Sequence, residues 1–279
     1  MMTEPNRDWQ EELMKTMSAY AETVRQGLEE RWKCLAVELY ESEPEEVIGA
    51  MLARQATLTI QLALAPQIWN GHIAPLILRC MTDAHITVAW ILKDPKERAT
   101  RYILYGLGQE KLYVEHLKSG ISEIDAGDEA IVKRLIEAKE EWLNSQRHEF
   151  LTEVDVGSWS GVSTRDMAED AGCKGLYNCA YFPFSGVVHN MWQHVALYNL
   201  KTCQNPLHKY HRVPTIAQVP LDPDFVYRSA KYISRSFGAV DEKFKLSCIT
   251  PYPVTWLSDE LEKLSSGMRR EDRDGETDS

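Results

Sequence analysis

The chain has 279 residues, 44% of them hydrophobic and 26% charged, with a net charge of -11. That length buries about three quarters of the unfolded surface, enough for one large core. The acidic balance excludes a general polyanion binder, and no run of about 18 uncharged apolar residues exists to span a membrane.

Gly and Pro are sparse, and the long segments carry helical rather than alternating periodicity. The pattern predicts an all-α bundle of about seven helices, a single domain over 1–264 with a disordered acidic tail at 265–279. Residues 8–41 place Trp9, Leu13, Met17, Tyr20, Val24, Leu28, Trp32 and Leu35 on one stripe. Ser42-Glu43-Pro44-Glu45 marks the next helix start, with Ser42 as cap and Glu45 as its reciprocal partner. Pro66 and Asn70-Gly71 end that helix. The third helix, over 72–92, is apolar nearly all round and should be central. Asp94-Pro95 opens a fourth that ends at Ser119-Gly120, and a fifth covers 127–150. Long loops are expected near 151–173, with a helical turn at 164–171, and near 201–221. A helix over 177–200, one from Asp222-Pro223 to about Phe244 and a short one over 255–264 complete the chain, with no strand.

Two of these helices carry polar residues in apolar surroundings. Tyr181, Ser185 and His189 fall at i, i+4 and i+8, one stripe at about 100° per residue. Pro183 interrupts their helix or starts it, since it has no N–H to give. Arg79 and Asp83 lie four apart on the third helix and can pair. Such groups are seldom buried unpaired, so the two helices are expected to pack side by side and bring all five residues together. The plain reading is structural, with a mutual salt bridge and a satisfied core histidine; the functional reading is a buried polar site.

Charge is uneven. Residues 1–50 and 258–279 are acidic, whereas 201–238 carries Lys201, Lys209, Arg212, Arg228, Lys231 and Arg235 against Asp222 and Asp224. This segment is either a solvated surface or a path for a phosphate backbone, with Lys209, Arg212, Arg228, Lys231 and Arg235 as contacts. Six cysteines without a C-x-x-C pair fit reduced thiols rather than a disulfide framework or a zinc site. With a polar N-terminus unlike a signal peptide, they suggest a cytoplasmic protein. No P-loop or G-x-S-x-G is present. His189-x4-His194 and His208-x2-His211 lack a carboxylate-rich setting, so neither a metal nor another cofactor is expected.

On Arg79-x3-Asp83 and Tyr181-x3-Ser185-x3-His189, the chain resembles an uncharacterised family of helical microbial proteins over about residues 45–200. That family carries R-x3-E and Y-x3-S-x3-H, so Asp83 stands where a longer Glu is usual. The resemblance implies a helical fold and a polar site, without an activity. Arg79-CMTDA-His85 also resembles the R-x4-6-H motif of HEPN ribonucleases of toxin and antiviral systems. Positions six apart sit about 120° apart on a regular helix, and Cys80 replaces the usual polar neighbour. Two functions follow as expectations. One is a metal-independent ribonuclease using Arg79, Asp83, Tyr181, Ser185 and either His189 or His85. The other is a non-catalytic module for a ligand, a protein partner or a second copy of the chain.

Overall fold

The computed structural model describes residues 4–36, 41–121, 126–146 and 158–275. Among them the chain is all-helical apart from one short hairpin. α1 (Glu4–Cys34) is followed by α2 (Glu43–Ala63), with Pro44 in its first turn. The Ser42 hydroxyl there meets Glu46, not the expected Glu45. After a 3-10 turn at Pro66–Ile68 come α3 (Ala74–Ile91), α4 (Pro95–Gly120) and α5 (Ala126–Asn144). The expected helix ends at 37–40 and 147–150, and the loop 151–157, lie outside the described residues. The turn expected at 164–171 is α6 (Thr164–Asp170), with the Asp166 N–H bonded to the Ser163 hydroxyl.

The helix expected to run unbroken over 177–200 is divided. It comprises α7 (Lys174–Leu176), a π-helical turn (Tyr177–Tyr181), α8 (Phe182–Val188) and α9 (Trp192–Tyr198). Two residues account for this. Pro183 offers no N–H to the Cys179 carbonyl, and the backbone widens into a π turn just before it. Asn190 then adopts the left-handed conformation, φ 51°. Its N–H meets the Val187 carbonyl at 3.2 Å and the Met191 N–H meets that of Gly186 at 2.9 Å, a Schellman ending. The helix count therefore exceeds seven.

The expectation of no strand is also corrected. β1 (Leu200–Thr202) and β2 (Arg212–Pro214) pair antiparallel, with Thr202 opposite Arg212. Both strands are too short to show alternation. α10 (Asp224–Phe244) matches its expected span. α11 (Pro253–Gly275) continues past 264 into the acidic stretch, and residues 276–279 lie outside the description.

α3 holds the centre, packed by α2, α10, α8, the π turn and α6. Leu78, Met81, Val88 and Ile91 are fully buried on it, in one cluster with Ala230, Ile233, Phe237 and Val240 of α10, while Ile86 packs with Met167 and Ala168 of α6. Each such larger side chain contributes about 1.5–3 kcal/mol. α1 lies across α2 and α11. Its stripe is buried at Leu13, Met17, Tyr20 and Val24, but Trp9 and Trp32 at the ends are exposed. Trp32 rests on Gly49, where a Cβ would come within 2.7 Å of the ring. α4 and α5 close a smaller cluster of Leu107, Val114, Ile136 and Leu143. Among the described residues no helix is long and apolar enough to cross a membrane.

Candidate functional site

Packing of α3 against α8 sets Arg79 against Tyr181 and Ser185. The Arg79 Nε donates to the Ser185 hydroxyl at 2.9 Å, and that hydroxyl donates to the Tyr181 carbonyl at 2.8 Å. The guanidinium lies over the Tyr181 ring, Cζ 3.2 Å from its centroid. Tyr177 stacks behind Tyr181 at 4.8 Å. The π turn supplies both tyrosines, and its extra residue per turn sets where they point. Stacking on an aromatic face and a charge-assisted hydrogen bond each contribute about 1–3 kcal/mol when partly desolvated.

Asp83 stands 3.6 Å from Arg79 Nη1, in an ion pair but not a hydrogen bond. The Arg79 side chain is 16% exposed and that of Asp83 50%. Partial desolvation pushes the Asp83 carboxyl above its usual range, and the Arg79 charge opposes that rise. The two Nη groups of Arg79 make no hydrogen bond among the described residues, and neither is sealed from solvent. The site is thus a guanidinium fixed through Nε, with Asp83 beside one arm of its fork and the other arm without a hydrogen bond among the described residues.

Four of the five expected residues therefore converge: Arg79, Asp83, Tyr181 and Ser185. His189 caps α8 through its N–H to the Ser185 carbonyl, 3.0 Å. Its ring is exposed and has no hydrogen-bond partner among the described residues. The expected burial of the 177–200 stretch is also overturned. Only one face is covered, because the break at Asn190 sends α9 along the surface with Trp192 and Leu197 70% exposed.

His85 takes a different direction from Arg79. It is buried, and its Nδ1 lies 3.0 Å from the Ser236 hydroxyl of α10. Gln55 of α2 reaches the same hydroxyl at 3.2 Å and the Met81 carbonyl at 2.7 Å. Burial, with the Arg235 charge added, lowers the His85 imidazole to about 4. It stays neutral at physiological pH, and the R-x5-H pair is split between α8 and α10. His85 also edges a cleft of about 760 Å³ with Cys173, Leu176, Tyr232, Arg235 and Glu242.

The five basic contacts lie on two elements. Arg228, Lys231 and Arg235 share an exposed stripe of α10 at i, i+3 and i+7, whereas Lys209 and Arg212 sit at the hairpin. Arg228 is paired with Asp224, and Lys231 lies over Tyr227.

Two groupings escaped the sequence reading. Arg31 and Asp241 form a buried ion pair at 2.7 Å between α1 and α10, with Arg31 stacked on Phe237. The available signal was Arg31 falling on the stripe of Val24, Leu28 and Leu35. Cys203, His208 and His211 bring one ligand atom each within 4.8 Å of one another. There the signal was C-x4-H-x2-H spacing, of which only the histidine pair was considered.

A model described as a family of unknown function (DUF5677) matches residues 45–205, and the chain belongs to that family. The matched span holds all of the Arg79 site. No curated protein and no solved structure matches the chain.

Proposed function

We propose that the Arg79 site takes a phosphate of an RNA backbone and that the chain cleaves RNA there without a metal. The observation that carries this reading is the Arg79 guanidinium, stacked on Tyr181 and pinned through Nε by Ser185, with Nη1 beside the half-exposed Asp83 carboxylate at 3.6 Å and Nη2 without a hydrogen bond among the described residues. A planar fork fixed in this way suits two phosphate oxygens. His189 lies one helical turn beyond Ser185, about 5–6 Å between Cβ atoms. Its exposed imidazole can take and give a proton. In the proposed reaction the ribose 2′-oxygen attacks the neighbouring phosphorus and the bond to the 5′-oxygen of the next nucleotide breaks. His189 takes the 2′-hydroxyl proton, water protonates the leaving oxygen, and Arg79 offsets the charge that builds on phosphorus. The exposed basic stripe of α10 and the hairpin lysine and arginine would guide the strand.

The test is incubation of the purified protein with single-stranded RNA, with and without chelator, beside His189→Ala and Arg79→Lys. The expected result is chelator-resistant cleavage lost in both variants. Absent cleavage, or cleavage that persists in both, overturns the reading.

A second reading, the docking of a protein partner or a second copy, is favoured by one separate observation. Phe182, Trp192, Leu197, Leu207, Tyr210 and Ile216 are all exposed by 65% or more within a short stretch of sequence. A concentration-dependent mass in light scattering, abolished by Trp192→Lys, would support it.

A further inference from the structure

The hairpin that follows α9 carries a cluster the Arg79 site does not use. Cys203 Sγ lies 3.6 Å from His208 Nδ1, and the His208 and His211 rings meet edge to face at 5.4 Å. All three candidate donor atoms fall within 4.8 Å of one another. With Zn–S about 2.3 Å and Zn–N about 2.0–2.1 Å, a tetrahedral ion holds sulfur and nitrogen about 3.6 Å apart. The Cys203–His208 pair already stands at that spacing. One thiol and two imidazoles are a donor set for zinc, and not for the hard cations that need oxygen.

The backbone explains why these residues meet. Pairing of Thr202 with Arg212 puts the next residues, Cys203 and His211, across from each other, closed by the Cys203 N–H on the His211 carbonyl at 2.9 Å. The connecting loop folds back on itself, with the His208 N–H on the Asn205 carbonyl and the His211 N–H on that of His208. His208 is thereby returned over the strand ends. Both histidines are exposed and Cys203 is half-buried, so the cluster faces solvent.

We propose that Cys203, His208 and His211 bind Zn²⁺, leaving a fourth position on the solvent side for water or an outside ligand. Bound zinc would clamp the loop between the strands and fix the position of Lys209, which lies between the two histidines. The site is separate from Arg79 and asks nothing of the chemistry proposed there.

The full-length chain, stripped of metal by chelator, is titrated with Co²⁺ as a spectroscopic probe and then with Zn²⁺ in competition. The expected result is uptake of about one equivalent, with the visible bands of tetrahedral cobalt and a thiolate charge-transfer band. Zn²⁺ should displace both. Cys203→Ser should remove the charge-transfer band. His208→Ala and His211→Ala should each weaken binding tenfold or more, while Cys179→Ser should leave it unchanged. Circular dichroism should be the same for all four variants, since the hairpin contributes little helix. No uptake by the wild type, or charge-transfer intensity retained in Cys203→Ser, overturns the proposal, as does binding in which neither histidine matters.

Discussion

At the scale of the residue, the polar groups of α3 divide according to the partner each finds. Arg79 keeps its charge at a solvent edge, whereas His85 loses its proton to burial. That difference gives a testable pH dependence. His85 titrates near 4 in the folded chain and near 6.5 when unfolded. Between these values the unfolded state binds more protons, so stability is full above about 6.5 and falls as pH drops toward 4. The loss is on the order of 3 kcal/mol at one pKa unit per about 1.4 kcal/mol. In His85→Asn, which keeps a donor for Ser236 but cannot titrate, that component of the acid-side slope should vanish. An unchanged slope in the variant would place the titration elsewhere. The meeting of Arg79, Tyr181 and Ser185 was legible in the sequence, because helical spacing aligned Tyr181 with Ser185 and both helices were the most apolar. The partner of His85 was not legible, since Ser236 lies on another helix and nothing local marks it.

At the scale of the element, α3 was legible from its all-round apolarity, and α10 from the Asp222-Pro223 start. The breaks within 177–200 were only half visible. Pro183 signalled irregular backbone, but His189-Asn190-Met191 contains neither Gly nor Pro, and the apolar pattern runs straight through it. What ends α8 is the ability of Asn190 to adopt φ 51° while two N–H groups satisfy the last carbonyls. Left-handed backbone costs a residue with a Cβ about 1–2 kcal/mol, and a β-branched one more. Asn190→Gly should therefore match or exceed the wild type in a thermal melt, while Asn190→Val should lower stability by roughly 1–2 kcal/mol. Equal melting of the two variants would show that the α8 ending is not held by this conformation. The hairpin was missed for a different reason: three residues per strand carry too little alternation, and its pairing is set by closure around Cys203 and His211.

At the scale of the molecule, α1 is tied to α10 by a contact that no local pattern could announce. Arg31 is 1% exposed, and Asp241 accepts hydrogen bonds from both Arg31 and the Tyr252 hydroxyl. Asp241→Ala should cost about 3–5 kcal/mol because it strands a buried cation. Arg31→Met with Asp241→Leu should cost clearly less, since the pair's attraction is offset by its desolvation. A double variant as unstable as the single one would mean that the charges themselves hold α1 in place. The proposed function adds a charge expectation at this scale: an RNA strand bound at Arg79 should depend on the exposed Arg228, Lys231 and Arg235 of α10. The central claim is that Arg79 grips a backbone phosphate, and the affinity of a short single-stranded RNA for wild type and Arg79→Lys, measured across salt concentrations, tests it most directly. Lysine keeps the charge but loses the fork and the stack on Tyr181. The account predicts wild-type binding that weakens as salt rises and an affinity about tenfold lower or worse in Arg79→Lys, a loss of about 1.4 kcal/mol. Equal affinity in the two proteins, or no binding even at low salt, would contradict it.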